Sequence, residues 1–220
     1  MKQGKTTLSI NELGSMDDGI EYLLSHINPA ITRISNEPII DRVLSGDTLM
    51  GKIADVSYEV RFERFMQAGA QLNQSPTPSI HYAAQVGNPH VMSGVLRRTP
   101  DKLSRMIVGG QTAFVRYARG NHILLDRPEI GAGIGLFINR NFNIHKEPGC
   151  SPHGLIGDVL ITIQESMHKP KWENIDADGV IDEWLKAGAV LSSTLNSDKT
   201  IYSIVETYLA RKRNALARSD

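Results

Sequence analysis

Cysteine, net charge and long apolar runs are all scarce in this sequence of 220 residues. The single cysteine, Cys150, cannot form a disulfide within the chain, which excludes a secreted disulfide scaffold. Lysine and arginine together number 24, as do aspartate and glutamate, so no overall field attracts nucleic acid or a membrane surface. No run approaches the roughly 20 apolar residues that span a bilayer, and no secretory signal peptide is visible. We expect a soluble protein of the cytoplasm or of a virion, without membrane contact.

Composition and apolar spacing predict a folded protein with helices at both ends. Apolar residues make up 40% of the chain and charged residues 22%, and this length is within reach of one domain over residues 1–220. Spacings of three and four predict a helical N-terminal part, residues 1–50, with one helix after Ser15 and another from about residue 36 to 45. The same spacing predicts a helical C-terminal part over residues 174–220.

The middle of the chain shows spacings that are typical of strands and loops. In residues 51–72, apolar Val56, Tyr58, Val60 and Phe62 alternate with polar residues, which predicts a strand. Residues 73–90 carry three prolines without a sustained period, which predicts a long loop or arm that contacts a neighbour. No repeat of solenoid period is visible.

Residues 106–165 are predicted to form a β-rich core. Its strands would be a hairpin around the Gly-Asn pair at 120–121, an alternating segment over 134–144 and a buried strand over 159–163. Together these patterns predict an α+β fold with a central, mainly antiparallel sheet flanked by N-terminal and C-terminal helices.

The stretch NIDADGVIDEWL, residues 174–185, follows part of the EF-hand calcium pattern. Such a loop needs oxygen ligands at alternate positions, a glycine at position six and a bidentate glutamate at twelve. Here Gly179 takes position six, but Leu185 takes position twelve and has no carboxylate. The remaining calcium ligands would be Asn174, Asp176, Asp178, the carbonyl of Val180, and Asp182.

The alternative is that these acids belong to the start of a helix. Asp176 or Asp178 would cap a helix that begins near Val180, and Asp182 with Glu183 would complement the positive end of its dipole. Because the bidentate ligand is missing, the ligand count favours the capped helix over calcium. No other cofactor is expected.

A second cluster, HKEPGCSPHGLIGD, brings thiol, imidazole and carboxyl groups together within residues 145–158. A thiol beside an imidazole can act as a nucleophile, and two histidines with a cysteine could bind zinc. The spacing matches no zinc finger, and the prolines and glycines indicate an exposed turn. If the protein is an enzyme, we expect its site to contain His122, Asp126, His145, Cys150 and His153.

Glycines and basic residues elsewhere do not complete a known binding motif. Gly131, Gly133 and Gly135 resemble the start of a dinucleotide fingerprint, but Leu136 stands where the third glycine is needed. We interpret these glycines as a bulge, a bend or a close approach of backbones. The basic clusters at 97–105 and 211–218 lack interleaved aromatic residues, so nucleic-acid binding is not expected.

No signature of the common hydrolases, zinc peptidases or deaminases is present. The leading hypothesis is therefore a non-enzymatic structural or interaction subunit of a homo-oligomer or a larger assembly, such as the head-to-tail junction or tail of a bacteriophage virion. The first alternative is an enzyme with a His/Cys/Asp site around residues 122–158. The second alternative is a calcium-stabilised binding module.

Overall fold

The computed structural model describes residues 20–21, 24–34, 37–45, 57–120, 127–167, 176–191 and 199–218. In these ranges the chain is mainly helical. The helices are α1 (Ile39–Leu44), α2 (Ser57–Gln67), α3 (Ser79–Val86), α4 (Pro89–Arg98), α5 (Asp101–Ser104), α6 (Ala113–Ala118), α7 (Arg127–Ile138), α8 (Gly154–Met167), α9 (Ala177–Lys186) and α10 (Lys199–Leu216). The two strands, β1 (Arg33–Ile34) and β2 (Glu37–Pro38), pair antiparallel with Arg33 opposite Pro38.

The predicted α+β fold is wrong. The paired strands β1 and β2 are two residues each, and no central sheet exists in the described ranges. The strand predicted within 51–72 falls on α2, and the alternating segment 134–144 begins in α7. The strand predicted at 159–163 lies inside α8. The first arm of the predicted hairpin is helix α6, and its second arm, 122–126, lies outside the described residues.

The spacing of buried residues explains why these segments are helices. In α2, Phe62 and Phe65 are buried while Val60 is 53% exposed, so the alternation seen from residue 56 to 62 does not mark a buried face. A run of five apolar residues cannot distinguish a buried strand from a buried helix, because both bury every position. The buried residues of α8 recur at helical spacing over a longer range: Leu155, Ile156, Val159, Leu160 and Ile163.

Two of the three prolines in residues 73–90 lie at helix starts, Pro78 directly before α3 and Pro89 as the first residue of α4, so the predicted loop or arm is wrong for most of its length. Most of this segment belongs to α3 and to the start of α4. Asn88 caps α4 by accepting hydrogen bonds from the backbone N–H groups of His90 and Val91, at 3.0 and 3.1 Å. Pro89 occupies the first turn, where a missing N–H costs no helical hydrogen bond.

The chain divides into two compact units, residues 1–79 and 80–220. In the first unit, α1 packs against α2 and buries Ile40, Val43 and Leu44. Asp41 is buried on the same helix, where one of its oxygens accepts a hydrogen bond from the Ser79 hydroxyl at 2.7 Å. The single domain expected over residues 1–220 stays a prediction.

The helices of the second unit form two series of contacting helices, which we call rows. In one row α7 contacts both α4 and α9, and in the other α8 contacts both α6 and α10; the rows meet where α8 also contacts α9. Helices α6 and α8 each follow a tight turn that is closed by an isolated β-bridge. The bridge is Val108–Gln111 before α6 and Ser151–Gly154 before α8. The same order therefore occurs twice in the chain: a tight turn followed by α6 and α7, and a tight turn followed by α8 and α9. None of the described helices has both the length and the apolar run needed to cross a bilayer.

A cluster of buried aromatic rings joins the two rows. Phe114 of α6 stacks on Phe137 of α7 and on Trp184 of α9, with ring centroids 4.7 and 5.7 Å apart. Phe142 meets Phe137 edge-on at 5.3 Å, and Tyr117 lies beside both Phe137 and Trp184. Such pairs contribute about 0.5–1.5 kcal/mol each beyond the area that they bury. The cluster fixes α6, α7 and α9 together.

The glycines of α7 allow this close packing. The Tyr117 ring lies where a side chain at Gly133 would be, and the Tyr117 hydroxyl donates a hydrogen bond to the carbonyl of Ile130 at 3.0 Å. The carboxylate of Glu183 on α9 similarly occupies the space beside Gly131. The backbone of α7 thus approaches side chains of its neighbours more closely than an alanine would permit.

Gly133→Ala should destabilise the protein, because the added methyl group overlaps the buried Tyr117 ring. We expect the free energy of unfolding to fall by about 1–3 kcal/mol. The matched control is Gly135→Ala in the same helix, where no heavy atom lies within 4 Å of the added carbon. There we expect a gain of about 0.4–1 kcal/mol from helix propensity. Urea unfolding of both variants measures the difference, and equal effects would contradict the packing argument.

Candidate functional site

The turn that precedes α8 surrounds a buried carboxylate. Asp158 lies in the second turn of α8, and its side chain is 1% exposed. Arg119, which ends α6, donates to one Asp158 oxygen from Nε at 2.9 Å and from Nη2 at 2.7 Å. The backbone N–H of Ser151 donates to the other oxygen at 3.1 Å. Arg119 also donates to the carbonyl of Gly149 at 3.1 Å, so one guanidinium ties α6, the turn and α8 together.

Burial raises the pKa of the Asp158 carboxyl above its usual range, and the donors from Arg119 and Ser151 oppose that shift. The carboxylate therefore depends on its hydrogen bonds to stay charged. The guanidinium of Arg119 is partly exposed, with 38% of its side chain accessible. This arrangement is an anchor for the turn, since its donors are taken up by protein oxygens.

Three of the five residues of the predicted enzyme site, His145, Cys150 and His153, lie in the described part of the chain. His122 and Asp126 lie outside the described residues. His145 and His153 line one pocket together with Lys146 and Val190, but Cys150 is not among its lining residues. The Cys150 thiol is free, and the described part of the chain contains no group of three or more His, Cys, Asp or Glu residues that could hold a metal ion. His145 and His153 thus line one pocket that Cys150 does not line, and the enzyme site stays a prediction.

The acids of the predicted calcium loop contact other parts of the protein. Asp176 caps α9 by accepting a hydrogen bond from the backbone N–H of Gly179 at 2.9 Å. Asp178 pairs with Arg211 of α10 at 3.2 Å. Val180 is buried within the helix, and Asn174 lies outside the described residues. The calcium site stays a prediction, and an ion there would compete with these contacts.

Asp182 links α9 to α10 with both of its oxygens. One accepts a hydrogen bond from the Tyr208 hydroxyl at 2.8 Å, and the other pairs with Lys212 at 2.6 Å. Partial burial alone would raise the pKa of Asp182. The hydrogen bonds from Lys212 and Tyr208 have a larger combined effect in the opposite direction, so the net shift of this pKa is downward. Partial burial and the Asp182 carboxylate raise the pKa of Tyr208 to about 12. The acidic face of α9 therefore holds the last helix in place.

Inspection of the sequence missed the partners of these acids. Arg119 is 39 residues from Asp158 and Lys212 is 30 residues from Asp182. No spacing rule connects residues so far apart, because their proximity depends on how the helices stack. The alternating carboxylates at 176, 178 and 182 were visible in the sequence, but their cationic partners were not.

No protein-family model, curated protein or solved structure matches this chain.

Arg119→Ala should leave the Asp158 carboxylate buried without its cation. We expect the free energy of unfolding at pH 7 to fall by about 1–3 kcal/mol, because a buried acceptor loses two of its donors, while water at the partly exposed Arg119 position limits the loss. Loss of the guanidinium raises the folded-state pKa of Asp158 further. The Asp158 carboxyl of the folded variant therefore stays protonated to higher pH than in the wild type. The loss of stability should therefore be smaller near pH 4 than at pH 7 in urea unfolding.

Lys186→Ala is the matched control, because Lys186 is 70% exposed in its ion pair with Glu183. We expect that change to cost no more than about 1 kcal/mol at either pH. An equal loss for Arg119→Ala at both pH values would show that its guanidinium stabilises the fold by packing and not by charge.

Calcium should not stabilise the protein if the acids of α9 are committed to protein contacts. We expect about 1 mM calcium to leave the melting temperature unchanged relative to the same buffer with chelator, because an ion that does not bind the folded state cannot shift its stability. Magnesium at the same concentration controls for ionic strength. A rise with calcium alone would support the calcium-stabilised module instead.

Proposed function

We propose that this chain is a non-enzymatic interaction subunit of a homo-oligomeric assembly and that its packed helices present the binding surface. The observation that supports this proposal is the set of helix contacts in the second unit, in which α7 and α8 each contact at least two other helices. Each helix pair alone cannot bury its apolar face, so neighbouring pairs share one continuous core.

A tight turn followed by two helices is also the unit of ankyrin-type arrays. Proteins built from stacked units present extended surfaces formed by several repeats, and these surfaces bind other proteins. Here the units are irregular in length, since α3, α6 and α8 begin at residues 79, 113 and 154. The likeness to ankyrin-type arrays is limited to this order of a turn and two helices. It supports the proposal that the chain binds another protein.

One turn of the stack presents apolar side chains on a fixed backbone. Met106 and Ile107 are 40% and 52% exposed and lie just before the bridge of Val108 with Gln111. The carbonyl of Met106 is 2.9 Å from Nε2 of the buried His81 on α3. A rigid turn loses little conformational entropy on binding, which favours contact with an apolar patch of a partner. The head-to-tail junction or tail of a bacteriophage virion is one assembly that is built from such subunits.

The native mass of the purified protein tests this proposal. We expect sedimentation velocity at roughly 10–100 µM to show species larger than the 24.3 kDa monomer, with the larger fraction growing as concentration rises. Circular dichroism on the same sample must show a helical spectrum, so that aggregates of unfolded chain are not counted. A folded monomer at every concentration would contradict the proposed homo-oligomeric subunit.

A further inference from the structure

Helix α10 carries a line of exposed apolar side chains at a spacing of seven. Tyr202, Leu209 and Leu216 are 41%, 40% and 69% exposed. Residues seven apart lie on nearly the same side of an α-helix, with a drift of about 20° per heptad. The three side chains therefore form a straight apolar stripe along the length of α10.

The stripe is separate from the face that packs within the unit. Ile201, Val205 and Tyr208 are buried, and α10 contacts α8 along this buried face. Lys212 lies on the same side and binds Asp182 of α9. The stripe borders this face but contributes little to the core, because its residues keep two fifths or more of their surface exposed.

Opposite charges flank the stripe on its solvent side. Glu206 precedes Leu209 by three residues and Arg213 follows it by four, and both are exposed. At 100° per residue, Glu206 and Arg213 project in nearly the same direction around the helix. Along the helix axis, one lies before Leu209 and the other lies after it.

We propose that α10 pairs antiparallel with α10 of a second copy of this chain, around a two-fold axis at Leu209. Leu209 then meets Leu209 of the partner subunit, and Tyr202 meets Leu216 of the partner subunit. The inference rests on the proposed function, since it names the surface through which subunits associate.

Charge complementarity selects this arrangement. With a two-fold axis at Leu209, residue 206 of one copy lies level, along the helix axis, with position 212 of the second copy. Position 213 of the second copy is only one residue further along, a rise of about 1.5 Å. Glu206 therefore faces Arg213 of the partner subunit, and the same pair forms a second time by symmetry. In a parallel pair the flank with Glu206 would meet the opposite flank, where Lys212 already binds Asp182.

Charge reversal at both positions tests the pairing. In Glu206→Arg both facing pairs become arginine with arginine, and in Arg213→Glu both become glutamate with glutamate. We expect each change to weaken self-association about tenfold or more, measured as the dissociation constant in sedimentation velocity. The double variant with both changes restores the opposite pairs and should return to within about threefold of the wild type.

Mixing the two single variants gives the sharpest result. One copy then carries arginine at both positions and the other carries glutamate at both, so each facing pair is again opposite in charge. We expect the equimolar mixture to associate although neither variant does so alone. Leu209→Glu should abolish association by placing two carboxylates on the axis, with Val60→Glu, at a 53% exposed position of α2, as its control.

Glu165→Arg on α8 is the control for a reversed charge at another exposed helical position, and it should leave association unchanged. Circular dichroism confirms that every variant folds. If the wild type forms a multi-subunit species that the single reversals do not weaken, the α10 pairing is wrong while the proposed function stands. If the folded wild type stays monomeric, both are wrong.

Discussion

The second unit depends on the close approach of α7 to the Tyr117 ring. Gly133 leaves room for that ring, and the Tyr117 hydroxyl donates to the α7 backbone at Ile130. With α7 in this position, Phe137 can stack on Phe114, which in turn stacks on Trp184. Interiors are packed as densely as crystals of small molecules, so one bulky group here would displace helices of both rows.

Charged residues in this protein connect elements that are distant in sequence. Asp158 joins α8 to the end of α6 through Arg119, and Asp182 joins α9 to α10 through Lys212 and Tyr208. A buried carboxylate needs such donors, because removing it from water is unfavourable unless its oxygens accept hydrogen bonds. The same residue types that suggested metal binding and catalysis thus have structural partners.

The sequence was informative where its signals were long and local. Helices α1, α9 and α10 lie where apolar spacing predicted helices, and the acids before α9 offered Asp176 or Asp178 as its cap, of which Asp176 is the one observed. The strand predictions were wrong because they used windows of five to eleven residues. In windows that short, the fully buried face of α8 and the glycine-rich surface of α7 mimic the pattern of a strand.

By itself the sequence determined that α1, α9 and α10 are helical and that an acid caps α9, and it lacks the signatures of the common hydrolases, zinc peptidases and deaminases. These follow from interactions within a few residues, which local spacing records. Only the tertiary structure decided that the described part of the middle is helical, that Asp158 belongs with Arg119, and that Gly131 and Gly133 of α7 face a carboxylate and an aromatic side chain. The physical reason is that helices lacking a clear apolar stripe are stabilised by packing against neighbours, and packing partners lie far apart in the chain.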